Sequence, residues 1–229
     1  SRARFGKKGK LQTVLCCAFT SDGSTLTGMS DGKVYRWSGK TLESVHGVKG
    51  SKKPVFAMCV VGTRVVTAGK GGTVRVWDES MVEPLQTVDL AEAVSSASLG
   101  ESDMCIKSLS CWGIEKCIVG TKDSQILEVT GLLDESGKVE PRVVISGHGP
   151  AGSFQGKRAD YQGELWGLST HPRKAEFATV SEDKGLRLWD MESKRCVGAY
   201  KLKSQARSVG YSPNGATIAV GLVDGRYTI

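Results

Sequence analysis

Histidine and cysteine side chains are the first candidates for metal binding or nucleophilic chemistry in this sequence. The three histidines, His46, His148 and His171, are widely separated and form no H-x-x-x-H pair. None of the seven cysteines belongs to a C-x-x-C pair, and zinc sites commonly use such closely spaced pairs. We therefore predict no metal site and no cofactor, and we interpret the cysteines as reduced, mostly buried thiols.

Sequence motifs for phosphate binding and acyl transfer give no support to an enzyme. The glycine-rich stretch 69–72 leads into a strand pattern rather than a helix, so it is interpreted as a hairpin turn and not as a phosphate-binding loop. No G-x-S-x-G motif is present. Glu182 and Asp183 fall at a predicted turn, and nothing pairs them for acid–base catalysis. We predict a non-enzymatic protein without catalytic residues; the alternative from a different class is a propeller enzyme.

Basic residues are concentrated in a few segments. The net charge is +7, yet residues 1–10 hold five basic residues and no acidic one, so the remainder carries only +2. A nearly neutral body argues against a nucleic-acid partner, and no apolar run approaches the 18 residues of a membrane span. Basic residues in two predicted loops are candidate contacts to an acidic partner, the alternative being ordinary solvated loops. These candidates are Lys49, Lys52, Lys53, Lys157 and Arg158.

A repeated strand pattern runs through the chain. Each copy has an alternating strand, a turn, a second strand that ends in small residues, and a third strand that ends in tryptophan. The final position is held by Trp37, Trp77, Val129 and Trp189, at spacings of 40, 52 and 60 residues. A period of about 40–45 residues with a terminal Trp-Asp is typical of WD40 β-propellers, and the longer spacings indicate inserted loops.

Certain positions in each repeat have predictable structural roles. The tryptophan fills the wedge between neighbouring sheets and needs a partner for its N–H, while the aspartate six residues earlier accepts hydrogen bonds in the turn. Gly71 and Gly72 occupy this turn in the second copy, and Gly-His pairs are mostly absent, so we expect incomplete His–Ser/Thr–Asp–Trp hydrogen-bond sets. The predicted structural positions are Asp31, Trp37, Trp77, Asp78, Asp183, Trp189, Asp190 and Asp224.

The sequence thus predicts an all-β fold, a partial WD40-type β-propeller with four full blades and most of a fifth. A basic arm, 1–10, precedes the propeller portion, 11–229. An incomplete ring exposes apolar sheet faces, so we expect either a portion of a larger propeller or self-association through the open edges. The approximate repeats are 11–53, 54–103, 104–162, 163–202 and 203–229.

Four segments resemble the echinoderm microtubule-associated protein-like (EML) family: Gly163–Pro172, Ile118–Val129, Pro54–Met58 and Ala206–Gly215. They occur in the family's order and are distributed over most of 11–229. The resemblance implies an interaction scaffold associated with tubulin or microtubules, and a cytoplasmic, cytoskeletal location. Because tubulin tails are acidic, basic loops offer a coherent contact. The alternative among binding proteins is a generic WD40 adaptor in another protein complex.

Overall fold

Five antiparallel sheets account for the secondary structure of the chain. The computed structural model describes residues 12–48, 51–90, 105–113, 115–122, 125–133, 138–146 and 164–229. Four sheets have four strands and the last has three, each in simple sequence order. The strands are β1 (Val14–Phe19), β2 (Thr25–Met29), β3 (Val34–Ser38), β4 (Thr41–His46), β5 (Val55–Val61), β6 (Arg64–Gly69), β7 (Thr73–Asp78), β8 (Pro84–Asp89), β9 (Ile106–Trp112), β10 (Lys116–Thr121), β11 (Gln125–Thr130), β12 (Glu140–Ser146), β13 (Leu165–Thr170), β14 (Glu176–Ser181), β15 (Gly185–Asp190), β16 (Cys196–Lys201), β17 (Ala206–Tyr211), β18 (Ile218–Leu222) and β19 (Tyr227–Thr228).

Alternating hydrophobicity and glycine turns explain these strands. In β7, Val74 and Val76 are buried while Arg75 between them is half-buried, as expected for period-two side-chain alternation. The hairpin between β6 and β7 needs positive φ, which Gly71 and Gly72 adopt at 86° and 73°. The interpretation of this glycine-rich stretch as a hairpin turn is therefore confirmed.

The sheets are blades stacked side by side, with β1, β5, β9, β13 and β17 as the innermost strands in contact with one another. The core lies between successive blades. Trp77 of the second blade packs with Leu26 and Val34 of the first, and Trp189 of the fourth packs with Ile118 of the third. Five blades in a β-propeller arrangement confirm the predicted fold class, and no helix among the described residues is long and apolar enough to cross a membrane.

Every innermost strand has a β-bulge after its first residue, which the sequence patterns did not predict. The hydrogen-bond register shifts there, and one extra residue has no partner in the neighbouring strand. The extra residues are Leu15, Phe56, Lys107, Trp166 and Arg207. The same position of each blade is thereby released from the regular ladder.

The cysteine prediction needs a correction. Cys111 of β9 and Cys117 of β10 are cross-strand partners joined in a disulfide, because the short hairpin brings positions six residues apart opposite each other. Cys17 and Cys196 are exposed rather than buried. The five cysteines outside this disulfide are Cys16, Cys17, Cys59, Cys105 and Cys196.

Candidate interaction surface

Strand direction divides the connections of the propeller between two faces. We define the top face as the face formed by two kinds of connection: those that precede each innermost strand, and the turns between the second and third strands of each blade. The remaining turns form the bottom face. Antiparallel neighbours within each blade fix this assignment, and Glu182 of one top turn meets Arg207 near the start of β17, with 2.8 Å between Oε1 and Nη2.

The predicted tryptophan positions have a common geometry in three blades. The indole N–H of Trp37, Trp77 and Trp189 donates to a threonine ten residues earlier on the second strand, at 3.0, 2.8 and 2.7 Å. In the third blade, Val119 and Val129 occupy the equivalent threonine and tryptophan positions, and both are fully buried. The hydrogen bond and the tryptophan are therefore replaced together by an apolar pair.

The turn aspartates Asp31, Asp183 and Asp224 each accept a backbone N–H two residues later, at 3.1, 2.8 and 3.1 Å. Arg187 also bonds Asp183, with 2.7 Å between Nη1 and Oδ2. These carboxylates are therefore engaged in shaping the top turns. Arg226 bonds Asp224 through its side chain and its backbone N–H, and this holds the pKa of Asp224 near 2.

Asp78 and Asp190 are the last residues of the third strands β7 and β15, and they shape the turns of the bottom face. Asp78 accepts the N–H of Ser80 at 2.9 Å, and Asp190 accepts the N–H of Ser193 at 2.6 Å. The serine hydroxyl donates to the same carboxylate in both turns. These hydrogen bonds lower the pKa of both aspartates.

Lys52 and Lys53 are exposed in the connection before β5, on the top face. The ammonium of Lys53 lies over the hairpin turn of its own blade, since a Cβ at Gly71 would be 2.7 Å from its Nζ. The segment containing the Lys53 backbone also packs on Gly32 of the first blade. Lys49, Lys157 and Arg158, as well as residues 1–10, lie outside the described residues.

Four of the bulge residues form a stack of alternating aromatic and cationic side chains. Lys107 Nζ lies 4.2 Å from the ring centre of Phe56 and 4.1 Å from that of Trp166. Arg207 Cζ lies 4.1 Å from Trp166 on the next blade. The rings and cations attract one another because an aromatic face carries partial negative charge.

Two glutamates complete this stack. Glu164 Oε2 lies 3.3 Å from Lys107 Nζ, and Glu182 accepts the indole N–H of Trp166 at 3.1 Å besides pairing with Arg207. Lys107 is 9% exposed, whereas the Arg207 side chain is 41% exposed. Lys107 is thus an internal link between blades, while Arg207 remains open to a partner. A sequence pattern could have located the bulge residues of the first four blades. Each is a bulky or charged residue 21 to 23 positions before the tryptophan position of its blade.

The described histidines have structural partners. His171 is buried, and its Nδ1 accepts the backbone N–H groups of Arg173 and Lys174, both at 3.0 Å. His46 Nε2 lies 2.6 Å from Ser44 Oγ, and burial lowers the pKa of His46. His148 is outside the described residues. Among those described, no group of three His, Cys, Asp or Glu side chains is arranged to hold a metal ion.

Comparison with known proteins agrees with this geometry. The family model "WD domain, G-beta repeat" matches residues 5–38 and 42–78. The WD40 β-propeller domain of Doa1 superposes with a TM-score of 0.68 at 19% identity, over 98% of this chain and 64% of that one. The chain has the fold of a WD40-type β-propeller. A β-propeller domain of Cps50 (Swd1) from Myceliophteria thermophila gives the same TM-score at 14% identity, over 92% and 63% of the two chains.

Curated relatives of this WD40 propeller carry the name of the family that the sequence motifs resemble. Echinoderm microtubule-associated protein-like 2 of Mus musculus is 30% identical over 98% of this chain. Echinoderm microtubule-associated protein-like 1 of Homo sapiens is 28% identical over 98% of it. The chain spans 31% and 24% of the length of these two relatives. The sequence resemblance is therefore confirmed as similarity along nearly the whole chain.

Proposed function

We propose that this propeller is a non-enzymatic protein-interaction scaffold that associates with microtubules in the cytoplasm. The observation that carries the proposal is the pair of exposed lysines, Lys52 and Lys53, on the top face of a WD40 fold whose relatives are named for microtubules. Exposed lysines attract acidic partner segments through long-range electrostatics without a fixed geometry. Tubulin, with its acidic tails, suits that requirement, and Lys49, Lys157 and Arg158 are proposed as further contacts.

The experiment is co-sedimentation of the chain with polymerised tubulin. We expect binding that weakens as salt rises from 50 to 300 mM, because exposed charge contacts are screened within about 8 Å at physiological ionic strength. Microtubules whose acidic tails have been removed by limited proteolysis are the matched control and should retain less of the chain. Absence of the chain from the pellet at low salt would contradict the proposal.

The second candidate is an adaptor for a different protein complex. It is favoured by the breadth of the WD40 fold, since propellers similar to this one at 14–19% identity carry unrelated names. Co-sedimentation separates the two candidates, because an adaptor with another partner would stay in the supernatant at every salt concentration.

A further inference from the structure

Exposed charge is distributed differently on the two faces of the propeller. In the described top connections every blade exposes at least one basic side chain, and Asp224 is the one exposed acid. That acid pairs with Arg226 at 2.6 Å. The bottom connections expose acids among their basic residues, including Asp22, Glu83, Glu115 and Glu192. We call the exposed top lysines the lysine rim. They are Lys33, Lys52, Lys53, Lys70, Lys122, Lys184 and Lys203.

Four other acids in the described part of the top face do not cancel this charge, because internal contacts engage them. Asp31 and Asp183 bond backbone N–H groups of their own turns, and Glu164 and Glu182 bond Lys107 and Arg207. All four acidic residues are half-buried, whereas the lysines are exposed. The described top face therefore presents ammonium groups around an inner stack whose own charges are largely matched.

Lys184 supports a role for these lysines beyond solubility. It has a φ of 62° in the top turn of the fourth blade, at the position where the first and fifth blades have Gly32 and Gly225, with φ of 84° and 80°. Glycine adopts this conformation without steric cost, whereas a side chain makes it unfavourable. The fourth blade thus carries a positive charge at a position that the backbone conformation favours for glycine.

From these observations we infer that the top face binds an extended acidic peptide segment, with the lysine rim defined above as its outer contacts and Arg207 as its inner anchor. The guanidinium of Arg207 is held by Trp166 and Glu182, so it is oriented before a partner arrives. An extended chain suits the surface because the lysines come from turns of successive blades. The inference rests on the proposed function in taking the partner to be acidic, and it adds the extended conformation of the bound segment, the further lysines and the anchor.

The test uses the full chain and a fluorescent twelve-residue glutamate peptide, with a glutamine peptide as control, in anisotropy titrations at several salt concentrations. Substituting Lys52, Lys53 and Lys70 with Gln should weaken binding about tenfold and flatten the salt dependence. Substituting the exposed bottom residues Lys40, Lys174 and Arg195 with Gln removes the same charge and should change affinity less than about twofold. Equal losses in both variants would overturn the inference, as would no loss in the top variant.

The anchor is tested separately with Arg207→Lys and Arg207→Gln. Lysine keeps the charge but not the planar stack on Trp166, so we expect about a threefold loss for Arg207→Lys and a larger one for Arg207→Gln. The unfolding midpoints of both variants are measured as well, so that a loss of peptide affinity is attributed to the substitution only when the variant is folded. Unchanged affinity in a folded Arg207→Gln variant would remove Arg207 from the site.

Co-sedimentation of the same variants with microtubules distinguishes the two proposals. If the unmodified chain binds the glutamate peptide through its top face but does not pellet, the microtubule proposal is wrong and the surface stands. If the chain pellets and the top and bottom variants pellet equally well, the surface is wrong, and microtubule association stands without Lys52 and Lys53 as its contacts.

Discussion

Trp77 and Thr67 are joined by a buried hydrogen bond of 2.8 Å between the indole N–H and the threonine hydroxyl. Both residues are less than 5% exposed, so no water replaces the threonine if its hydroxyl is removed. The bond joins the second and third strands of the blade, while the indole ring packs against the preceding blade. One side chain thus stabilises a sheet and the packing between two sheets.

Thr67→Val removes the acceptor while keeping the shape of the side chain. We expect it to lower the free energy of unfolding by about 1–3 kcal/mol, since the indole N–H is left buried without its partner. Thr27→Val is the matched control: Trp37 is half-buried, so water can replace the acceptor and the loss should stay below about 1 kcal/mol. Urea denaturation followed by tryptophan fluorescence measures both. Equal losses would contradict the role of burial.

Gly215→Ala tests the packing of His171 between the fourth and fifth blades. Gly215 has φ 74°, and a Cβ there would overlap the buried His171 ring. The matched control is Gly23→Ala, in the corresponding turn of the first blade, with φ 81° and nothing within 4 Å of the added Cβ. Both substitutions introduce about 1–2 kcal/mol of backbone strain. Gly215→Ala should cost about 1–3 kcal/mol more by overpacking, measured by urea denaturation.

Cysteine alkylation should separate adjacent thiols. Burial raises the pKa of Cys16 and Cys59 to about 12, whereas Cys17 and Cys196 are exposed. The thiolate is the reactive form, so at pH 8 iodoacetamide should modify Cys17 and Cys196 well before Cys16 and Cys59. Tandem mass spectrometry of quenched samples resolves Cys16 from Cys17, and the denatured chain is the control. Similar rates for Cys16 and Cys17 in the folded chain would be inconsistent with the structure.

Acid should destabilise the propeller through its turn aspartates. The folded pKa values of Asp78, Asp190 and Asp224 are lowered, that of Asp224 to about 2, while an unfolded aspartate titrates near 3.9. Their stabilising contribution is therefore complete above the unfolded pKa and is lost as pH falls toward the folded values. Urea midpoints should decrease between pH 5 and pH 2.5. Asp190→Asn should show a shallower decrease, and an identical slope would count against Asp190.

Lys184→Gly should stabilise the fold and weaken acidic-peptide binding. Removing the side chain at φ 62° relieves backbone strain, which we expect to raise the free energy of unfolding by about 1 kcal/mol. Lys194→Gly, at φ 58°, is the control, because it relieves similar strain but loses the ion pair with Glu128. Thermal unfolding and the anisotropy assay are measured together. A stabilised variant with unchanged affinity would exclude Lys184 from the rim.

Repeat periodicity was sufficient to predict the blades, because each tryptophan position marks the same place on a third strand. Val129 was assigned correctly despite its chemistry, since the flanking strands kept the spacing. Its place in one buried cluster with Val119 was not predicted, because only hairpin pairing brings residues ten positions apart onto neighbouring strands. The same reason explains Cys111 and Cys117: their spacing suggests no metal motif, and only the β9–β10 register makes them opposite partners.

The candidate surface was predictable only in part. Charge alone predicted Lys52 and Lys53 to be exposed loop residues, and both lie exposed in the connection before β5; their contact with an acidic partner stays a prediction. Lys107 and Arg207 were missed because a bulge inserts a residue without disturbing hydrophobic alternation clearly. Their aromatic partners come from other blades, so no local pattern associates Lys107 with Phe56 or Trp166.

The bulge at the start of each innermost strand allows one side chain of the blade to change without changing the strand pairing. A bulge residue is outside the pairing register, so replacing it leaves the strand hydrogen bonds intact. Neighbouring bulge side chains touch across blades although roughly 40 to 60 residues separate them in the chain. Repeats that diverge independently can therefore each contribute one side chain to this stack, and exchanging a single blade replaces one of its members.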